Sequence, residues 1–173
     1  CGALARFSPI VEEVMAFAKK GGLILGICNG FQILTECGLL PGTLLRNIGL
    51  DFICQHQYIR VEDNNTAFTH QIPEGTVMDI PIAHKEGNYF CSDEILKELQ
   101  DNHQIVFRYC DKQGNINAEY NPNGSQENIA GICNRTRNIL GMMPHPERAA
   151  TPYVTSNDGG KIFAALEEYF NLN

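Results

Sequence analysis

The sequence predicts an α/β fold with a doubly wound sheet, and two patterns support this prediction. Residues 23–27 form a short apolar run of the length of a buried strand, and apolar residues then recur at helical spacing. Before this strand, residues 9–18 are amphipathic, and Ser8 and Pro9 are suited to be the cap and first residue of a helix. A helix, a strand and a second helix in this order are typical of helices packed on both faces of one sheet.

The later elements follow from similar patterns. Strands are expected at residues 52–61, 76–82, 104–109, 116–120, 129–134 and 139–143, with a short helix over 92–99 and a closing helix from residue 158. The first helix should bury Ile10, Val11, Val14, Met15, Phe17 and Ala18. The closing helix should bury Ile162, Phe163, Leu166, Tyr169 and Phe170. Without a repeat or a linker in the sequence, we expect one domain over residues 1–173.

Composition excludes several classes of protein. The 173 residues are 43% hydrophobic and 19% charged, with a formal net charge of −7 and no basic stripe, which argues against nucleic-acid binding. The sequence has no apolar run of the ~18 residues that would cross a membrane, so we expect a cytoplasmic protein. Seven cysteines without Cys-x-x-Cys spacing predict neither a disulfide framework nor a metal site.

The segment Gly26-Ile27-Cys28-Asn29-Gly30 places a cysteine between the predicted strand and the helix that follows it. Two flanking glycines would permit a sharp backbone turn, as in the nucleophile elbow of hydrolases. The start of a helix also favours a thiolate, so we expect a lowered pKa for this thiol. A buried core cysteine is the alternative interpretation.

A second copy of the tetrapeptide Gly-Ile-Cys-Asn ends at Asn134, without a following glycine or an apolar helical pattern. This pattern is typical of two strands joined by a polar hairpin loop, and Cys133 is predicted to be structural.

His145 lies between Pro144 and Pro146, with Glu147 two residues after it. The prolines predict an extended backbone, in which residues two apart project to the same side. Glu147 would then orient His145, and Cys28 would complete a nucleophilic triad. An isolated His-Pro turn at a strand end is the alternative, but the two motifs together favour catalysis.

Three stretches resemble the class I (triad) glutamine amidotransferases: residues 26–32 (Gly-Ile-Cys-Asn-Gly-Phe-Gln), 81–89 (Pro-Ile-Ala-His-Lys-Glu-Gly-Asn-Tyr) and 141–148 (Gly-Met-Met-Pro-His-Pro-Glu-Arg). Within that family the sequence is most similar to the glutaminase subunits of phosphoribosylformylglycinamidine synthase, an enzyme of purine biosynthesis. The resemblance implies a flavodoxin-like three-layer sandwich around a mostly parallel sheet.

The resemblance also implies site residues and partners. Cys28, His145 and Glu147 would be catalytic, and Gly26, Asn29 and Gly30 would form the elbow and the oxyanion site. Gln32 and His84 would contact glutamine, although a surface glutamine and a structural or solvated histidine are the alternatives.

Ammonia would pass to a large synthetase subunit that aminates formylglycinamide ribonucleotide, with a small bridging subunit between the two. ATP and magnesium would belong to the synthetase, and no cofactor is expected in this chain. Another class I amidotransferase, a γ-glutamyl thiol hydrolase and a non-catalytic interaction module remain alternatives.

Family members normally carry about two further strand-helix units and a Gly-Gly loop before the residues that match Cys1. The resemblance therefore implies a sequence that is incomplete at its N-terminus. A chain that truly began at Cys1 would lack one of two oxyanion donors, which typically costs about 10²–10³ in rate. It would also expose sheet edges and be poorly soluble.

Overall fold

The computed structural model describes residues 8–151, 153–154 and 156–172. Its strands are β1 (Ile24–Ile27), β2 (Thr43–Leu45), β3 (Ile53–Val61), β4 (Val77–His84), β5 (Asn88–Phe90), β6 (Ile105–Tyr109), β7 (Ile129–Cys133) and β8 (Ile139–Met142). Six of them form one sheet in the order β1-β8-β7-β6-β3-β4, and β2 pairs with β5 separately. Its α-helices are α1 (Pro9–Lys19), α2 (Asn29–Glu36), α3 (Asp93–Asp101) and α4 (Gly160–Leu172).

Within these residues the main sheet is mixed. β1 and β8 are parallel, whereas the other four neighbouring pairs of the sheet are antiparallel. The prediction of an α/β fold is confirmed, but the expectation of a mostly parallel sheet is wrong for the described part. A short connection explains one of the antiparallel pairs, because antiparallel strands can be joined by a tight loop while parallel strands need a long crossover. Residues 134–138 are one such loop, and they join β7 to β8 in the predicted hairpin.

Apolar side chains pack on both faces of the sheet, which gives three layers. One cluster joins the sheet to α1, α2 and α3, and the other joins it to α4. Strand β8 shows the alternation expected of a buried strand, since Leu140 and Met142 belong to the α4 side while Ile139 belongs to the opposite side. No helix of the described residues is long and apolar enough to span a bilayer.

In α1 and α4, some of the apolar residues predicted to be buried are exposed. In α1, Val11 and Ala18 are buried, but Ile10 and Phe17 are 65% and 53% exposed. In α4, Ile162 is buried while Phe170 is 66% exposed. Helix α1 precedes β1, which lies at the edge of the described sheet, so little of that sheet is available to cover its outer residues.

The strand predicted over residues 116–120 is wrong, because the chain forms a 3₁₀ helix over Ala118–Tyr120. The side chain of Asn128 explains this local structure. Its Nδ2 atom donates to the carbonyl oxygens of Asn117 at 2.9 Å and Tyr109 at 3.1 Å. A side-chain amide thus satisfies a backbone carbonyl that a neighbouring strand would otherwise pair with.

Candidate active site

Three predicted site residues lie at one end of the main sheet. Strands β1, β8 and β4 run in the same direction, and Ile27 of β1 lies opposite Met142 of β8. Cys28 follows β1 directly, His145 comes shortly after β8, and His84 is the last residue of β4. Ligands of open α/β sheets bind at the carboxyl ends of strands, and these side chains lie at such an end.

Cys28 occupies a sharp turn between β1 and α2. Its backbone has φ 51° and ψ −104°, and it precedes the first residue of the helix. The Cys28 N–H donates to the carbonyl oxygen of Met142 at 2.8 Å, which extends the pairing of β1 with β8 up to the turn. A positive φ is strained for a residue with a side chain and is common at functional sites. The elbow that the sequence predicts is therefore present.

The two glycines of the elbow differ in their surroundings. A Cβ atom on Gly26 would lie 2.4 Å from the Cδ1 atom of Leu34 and 2.9 Å from the backbone carbon of Gly30. A Cβ atom on Gly30 would meet nothing within 4 Å. The steric argument from the sequence thus applies to Gly26, where α2 packs against β1, and is wrong for Gly30.

His145 and Glu147 are paired, although not in the backbone conformation that the sequence suggests. Residues Pro146–Ala149 form a 3₁₀ helix rather than an extended segment, because Pro146 is well suited to the first position of a helix. The Nδ1 atom of His145 still lies 2.6 Å from Oε1 of Glu147. The His145 N–H donates to the carbonyl oxygen of Pro81 at 2.8 Å, which fixes this segment against β4.

A cavity of about 460 Å³ is lined by most of the predicted site residues, but Gly26, Gly30 and Glu147 are not part of its lining. Its lining includes Cys28, Asn29, Gln32, His84 and His145. Cys28 and His145 are 8% exposed, and the Nε2 atom of His145 is buried without a hydrogen-bond partner in the described part of the chain. The cavity thus brings a thiol, an imidazole and a backbone N–H at a helix start into one small, largely buried space.

Burial decides the protonation of Cys28. Desolvation raises the pKa of its thiol, while the N–H of Asn29 and the charge of Arg148 act in the opposite direction. The charge of Glu147 raises this pKa further. The expected lowered pKa is therefore wrong, because the cost of a charge in a buried site exceeds the help from the helix start. The thiol donates to the carbonyl oxygen of Ala83 at 3.8 Å and needs a base before it can react.

Gln32 and His84 are both buried rather than solvated. Gln32 is 8% exposed, and its Nε2 atom donates to the carbonyl oxygen of Glu86 at 2.7 Å. His84 is 3% exposed, and burial, together with the nearby His145, lowers its pKa to about 4. The ring of His84 is therefore neutral at physiological pH.

Sequence reasoning missed two residues at this site. Phe52, which is 62% exposed, lines the cavity, and the buried Asn47 contacts the loop after β4. Neither residue lies in a sequence motif, and only the folded chain brings them to the cavity and its loop. In the described ranges we found no group of three or more His, Cys, Asp or Glu side chains that would hold a metal ion.

Comparisons with known proteins identify the family of this chain. The phosphoribosylformylglycinamidine synthase subunit PurQ of Koribacter versatilis is 58% identical over 165 residues, which are 95% of this chain and 71% of that protein. The protein of the same name from Acaryochloris marina is 56% identical over 166 residues, or 96% of this chain and 71% of the relative.

Solved structures show the same fold. One chain in the structure of PurLQS from Thermotoga maritima is 40% identical to this chain, with a TM-score of 0.84. The match covers 98% of this chain and 72% of the Thermotoga maritima chain. A putative GMP synthase protein from Thermoplasma acidophilum, at 17% identity and a TM-score of 0.55, shares the fold over 94% of this chain and 68% of its own. The family of CobB/CobQ-like glutamine amidotransferase domains matches residues 2–170. This chain therefore belongs to the glutamine amidotransferase family.

Proposed function

We propose that this chain is the glutaminase subunit of a phosphoribosylformylglycinamidine synthase and that it hydrolyses glutamine to glutamate and ammonia. The observation that carries the proposal is the cavity in which Cys28 lies with His145, whose other ring nitrogen contacts Glu147. The choice of glutamine as substrate is supported by the match to glutamine amidotransferase domains. The choice of synthase is supported by relatives named phosphoribosylformylglycinamidine synthase subunit PurQ, which are 50% or more identical to this chain.

Cys28 is the nucleophile in this proposal. Its sulfur attacks the side-chain amide carbon of glutamine, and the carbon–nitrogen bond then breaks to release ammonia and leave a glutamyl thioester. Water hydrolyses the thioester to glutamate and restores the thiol. The N–H of Asn29 stabilises the oxyanion of each step, since it already faces the sulfur at the start of α2. Gly26 lets the elbow form, and Gly30 leaves space beside it.

His145 transfers the protons. In the neutral ring, donation from Nδ1 to the carboxylate of Glu147 leaves the lone pair on Nε2, which has no hydrogen-bond partner among the described residues. Nε2 can therefore accept the proton of the Cys28 thiol, whose raised pKa makes such a base necessary. His145 then protonates the departing nitrogen and later takes a proton from the attacking water. Glu147 holds the ring and stabilises its positive charge.

Gln32 and His84 contribute to the glutamine pocket in this proposal. Both line the cavity beside Cys28, and the amide of Gln32 is held in place by the carbonyl oxygen of Glu86. A polar amide and a neutral imidazole suit the uncharged side chain of glutamine better than charged groups would.

The partners are a large synthetase subunit, which uses ATP and magnesium to aminate formylglycinamide ribonucleotide, and a small bridging subunit. Support comes from PurLQS of Thermotoga maritima, one chain of which is 40% identical to this chain. We further propose that residues 1–173 form one amidotransferase domain that works in the cytoplasm and holds no cofactor of its own.

Release of ammonia from glutamine, measured with and without the synthetase and bridging subunits, tests this proposal. We expect activity that rises when these subunits are added and that is lost in Cys28→Ala. Activity that does not respond to the synthetase would favour a γ-glutamyl hydrolase or another class I amidotransferase.

Labelling with a glutamine-analogue electrophile separates catalysis from mere partner binding. We expect adduct formation on Cys28, with protection by glutamine. Cys54 is an exposed thiol and provides the matched control, since Cys54→Ser should leave the labelling unchanged. An unlabelled Cys28 would contradict the proposal and favour a non-catalytic interaction module.

A further inference from the structure

Asn47 contacts the loop of residues 84–87, which begins at the last residue of β4 and lines the proposed catalytic cavity. Asn47 is 1% exposed, and its backbone N–H donates to the carbonyl oxygen of Lys85 at 2.9 Å. Its side-chain Nδ2 atom donates to the carbonyl oxygens of His84 at 2.9 Å and Asp51 at 2.8 Å. Its Oδ1 atom accepts from the N–H of Gly87 at 3.0 Å and contacts Nδ1 of His84 at 3.1 Å. One buried side chain thus meets both ends of the 84–87 loop.

These contacts fix the direction of the amide and the position of a proton. Because the carbonyl oxygens of His84 and Asp51 only accept, the nitrogen of the Asn47 amide must face them. Its oxygen therefore faces Nδ1 of His84, and this ring nitrogen must carry the hydrogen. The lone pair of the neutral ring is then on Nε2, which lies 3.5 Å from the Nδ2 atom of Asn123.

The 84–87 loop forms part of the wall around the proposed nucleophile. The carbonyl oxygen of Glu86 holds the amide of Gln32 at 2.7 Å. Just before the loop, the carbonyl oxygen of Ala83 accepts from the Cys28 thiol. A shift of this loop would therefore move the support of Gln32 as well as one boundary of the cavity.

Close packing leaves the loop little freedom on its other side. A Cβ atom on Gly87 would lie 2.5 Å from the Nδ1 atom of the His84 ring, so the backbone of the loop passes directly over that ring. Asn123, which is fully buried, donates to the carbonyl oxygen of Gly87 at 2.8 Å. Asn47 and Asn123 thus hold the loop from two directions.

We infer that Asn47 is a positioning residue that holds the 84–87 loop, and through it Gln32, in the geometry that glutamine binding requires. This inference rests on the proposed glutaminase function. Asn47 does not line the cavity itself, and it acts through His84, Lys85 and Gly87. Its loss would leave two carbonyl oxygens and two N–H groups without their buried partner.

The test compares Asn47→Ala with Asn138→Ala in the complex with the synthetase and bridging subunits. Asn138 is a matched control, because it is also buried and donates to the carbonyl oxygens of Ala18 at 3.0 Å and Gly22 at 2.8 Å, far from the cavity. We expect Asn47→Ala to raise the KM for glutamine and to lower kcat/KM by about 10- to 100-fold. Asn138→Ala should lower stability but leave both constants of the folded enzyme near their original values.

A second variant, Asn47→Asp, tests the inference in case Asn47→Ala does not fold. Asn47→Asp keeps the shape and both acceptor contacts, but it places a carboxylate oxygen against the carbonyl oxygens of His84 and Asp51. We expect the same rise in KM. Unchanged kinetic constants in either folded Asn47 variant, or an equal loss in Asn138→Ala, would overturn the inference.

Nitrogen NMR of the unaltered chain gives an independent readout. We expect the His84 ring to carry its proton on Nδ1, and a proton on Nε2 would contradict the inference. A complex without any glutaminase activity would instead overturn the proposed function. The NMR result would then still decide whether Asn47 holds His84 in the assigned form.

Discussion

The Nδ1 atom of His145 lies 2.6 Å from Oε1 of Glu147, within one turn of 3₁₀ helix that begins at Pro146. The imidazole is largely buried, whereas the side chain of Glu147 is 44% exposed. The carboxylate thus orients a buried ring while keeping part of its own hydration, which limits the cost of placing a charge beside the cavity.

We predict that Glu147→Gln lowers the glutaminase kcat by about 10²-fold. The amide retains the size of the carboxylate but cannot stabilise the charged imidazole that forms when His145 accepts a proton. Steady-state assays of the complex measure the effect. Glu168→Gln, at an exposed position of α4, removes the same charge elsewhere and should leave kcat unchanged. Full activity in Glu147→Gln would show that Glu147 has no part in proton transfer.

We predict opposite effects of alanine at the two glycines of the elbow. Gly26→Ala should lower the free energy of unfolding by about 1–3 kcal/mol, because its Cβ would lie 2.9 Å from the backbone of Gly30. Gly30→Ala places a methyl group in open space within α2 and should raise the free energy of unfolding by up to about 1 kcal/mol. Urea unfolding of both variants measures the difference. Equal stability of the two variants would contradict the packing described for this turn.

We predict that His84 makes the fold sensitive to acid. Its pKa is about 4 in the folded chain, against an ordinary value near 6.5, so the unfolded chain binds this proton first as the pH falls. Stability should therefore decrease between about pH 6.5 and 4, by as much as roughly 3 kcal/mol from this residue. Urea unfolding across this range measures the slope.

A paired substitution assigns this slope to His84. His84→Gln should flatten the acid dependence, whereas His103→Gln, at an exposed loop position, should retain it. An identical slope in the unaltered chain and His84→Gln would show that His84 does not carry the effect.

The elbow at Cys28 was predictable because its causes are local. An apolar strand, a glycine next to the turn and helical spacing after Cys28 are all visible in the sequence, and the structure has each of them. The Cys133 hairpin was predictable for the same reason, since a polar loop lies between two apolar runs. The pairing of His145 with Glu147 was also expected, although the sequence suggested an extended backbone in place of a 3₁₀ turn.

Features that depend on distant residues were not predictable. The raised pKa of Cys28 comes from its burial, and only the assembled cavity determines that burial. The β2·β5 pair and the loop contacts of Asn47 depend on partners far away in sequence. The 3₁₀ helix at Ala118–Tyr120 depends on a side chain beyond the local pattern, that of Asn128. Likewise, the exposure of Phe17 depends on which surfaces cover α1, which periodicity alone does not reveal.

The positive φ angle of Cys28 lowers the stability of the fold at the residue that the proposed chemistry requires. A side chain at φ 51° is strained by roughly 1–3 kcal/mol, and glycine relieves most of that strain. We therefore expect Cys28→Gly and Cys28→Ala to be equally inactive, while the glycine variant should be the more resistant to thermal denaturation. Differential scanning calorimetry compares the two, and a more heat-resistant alanine variant would rule out such a trade-off. If it holds, selection for stability alone would remove the proposed nucleophile.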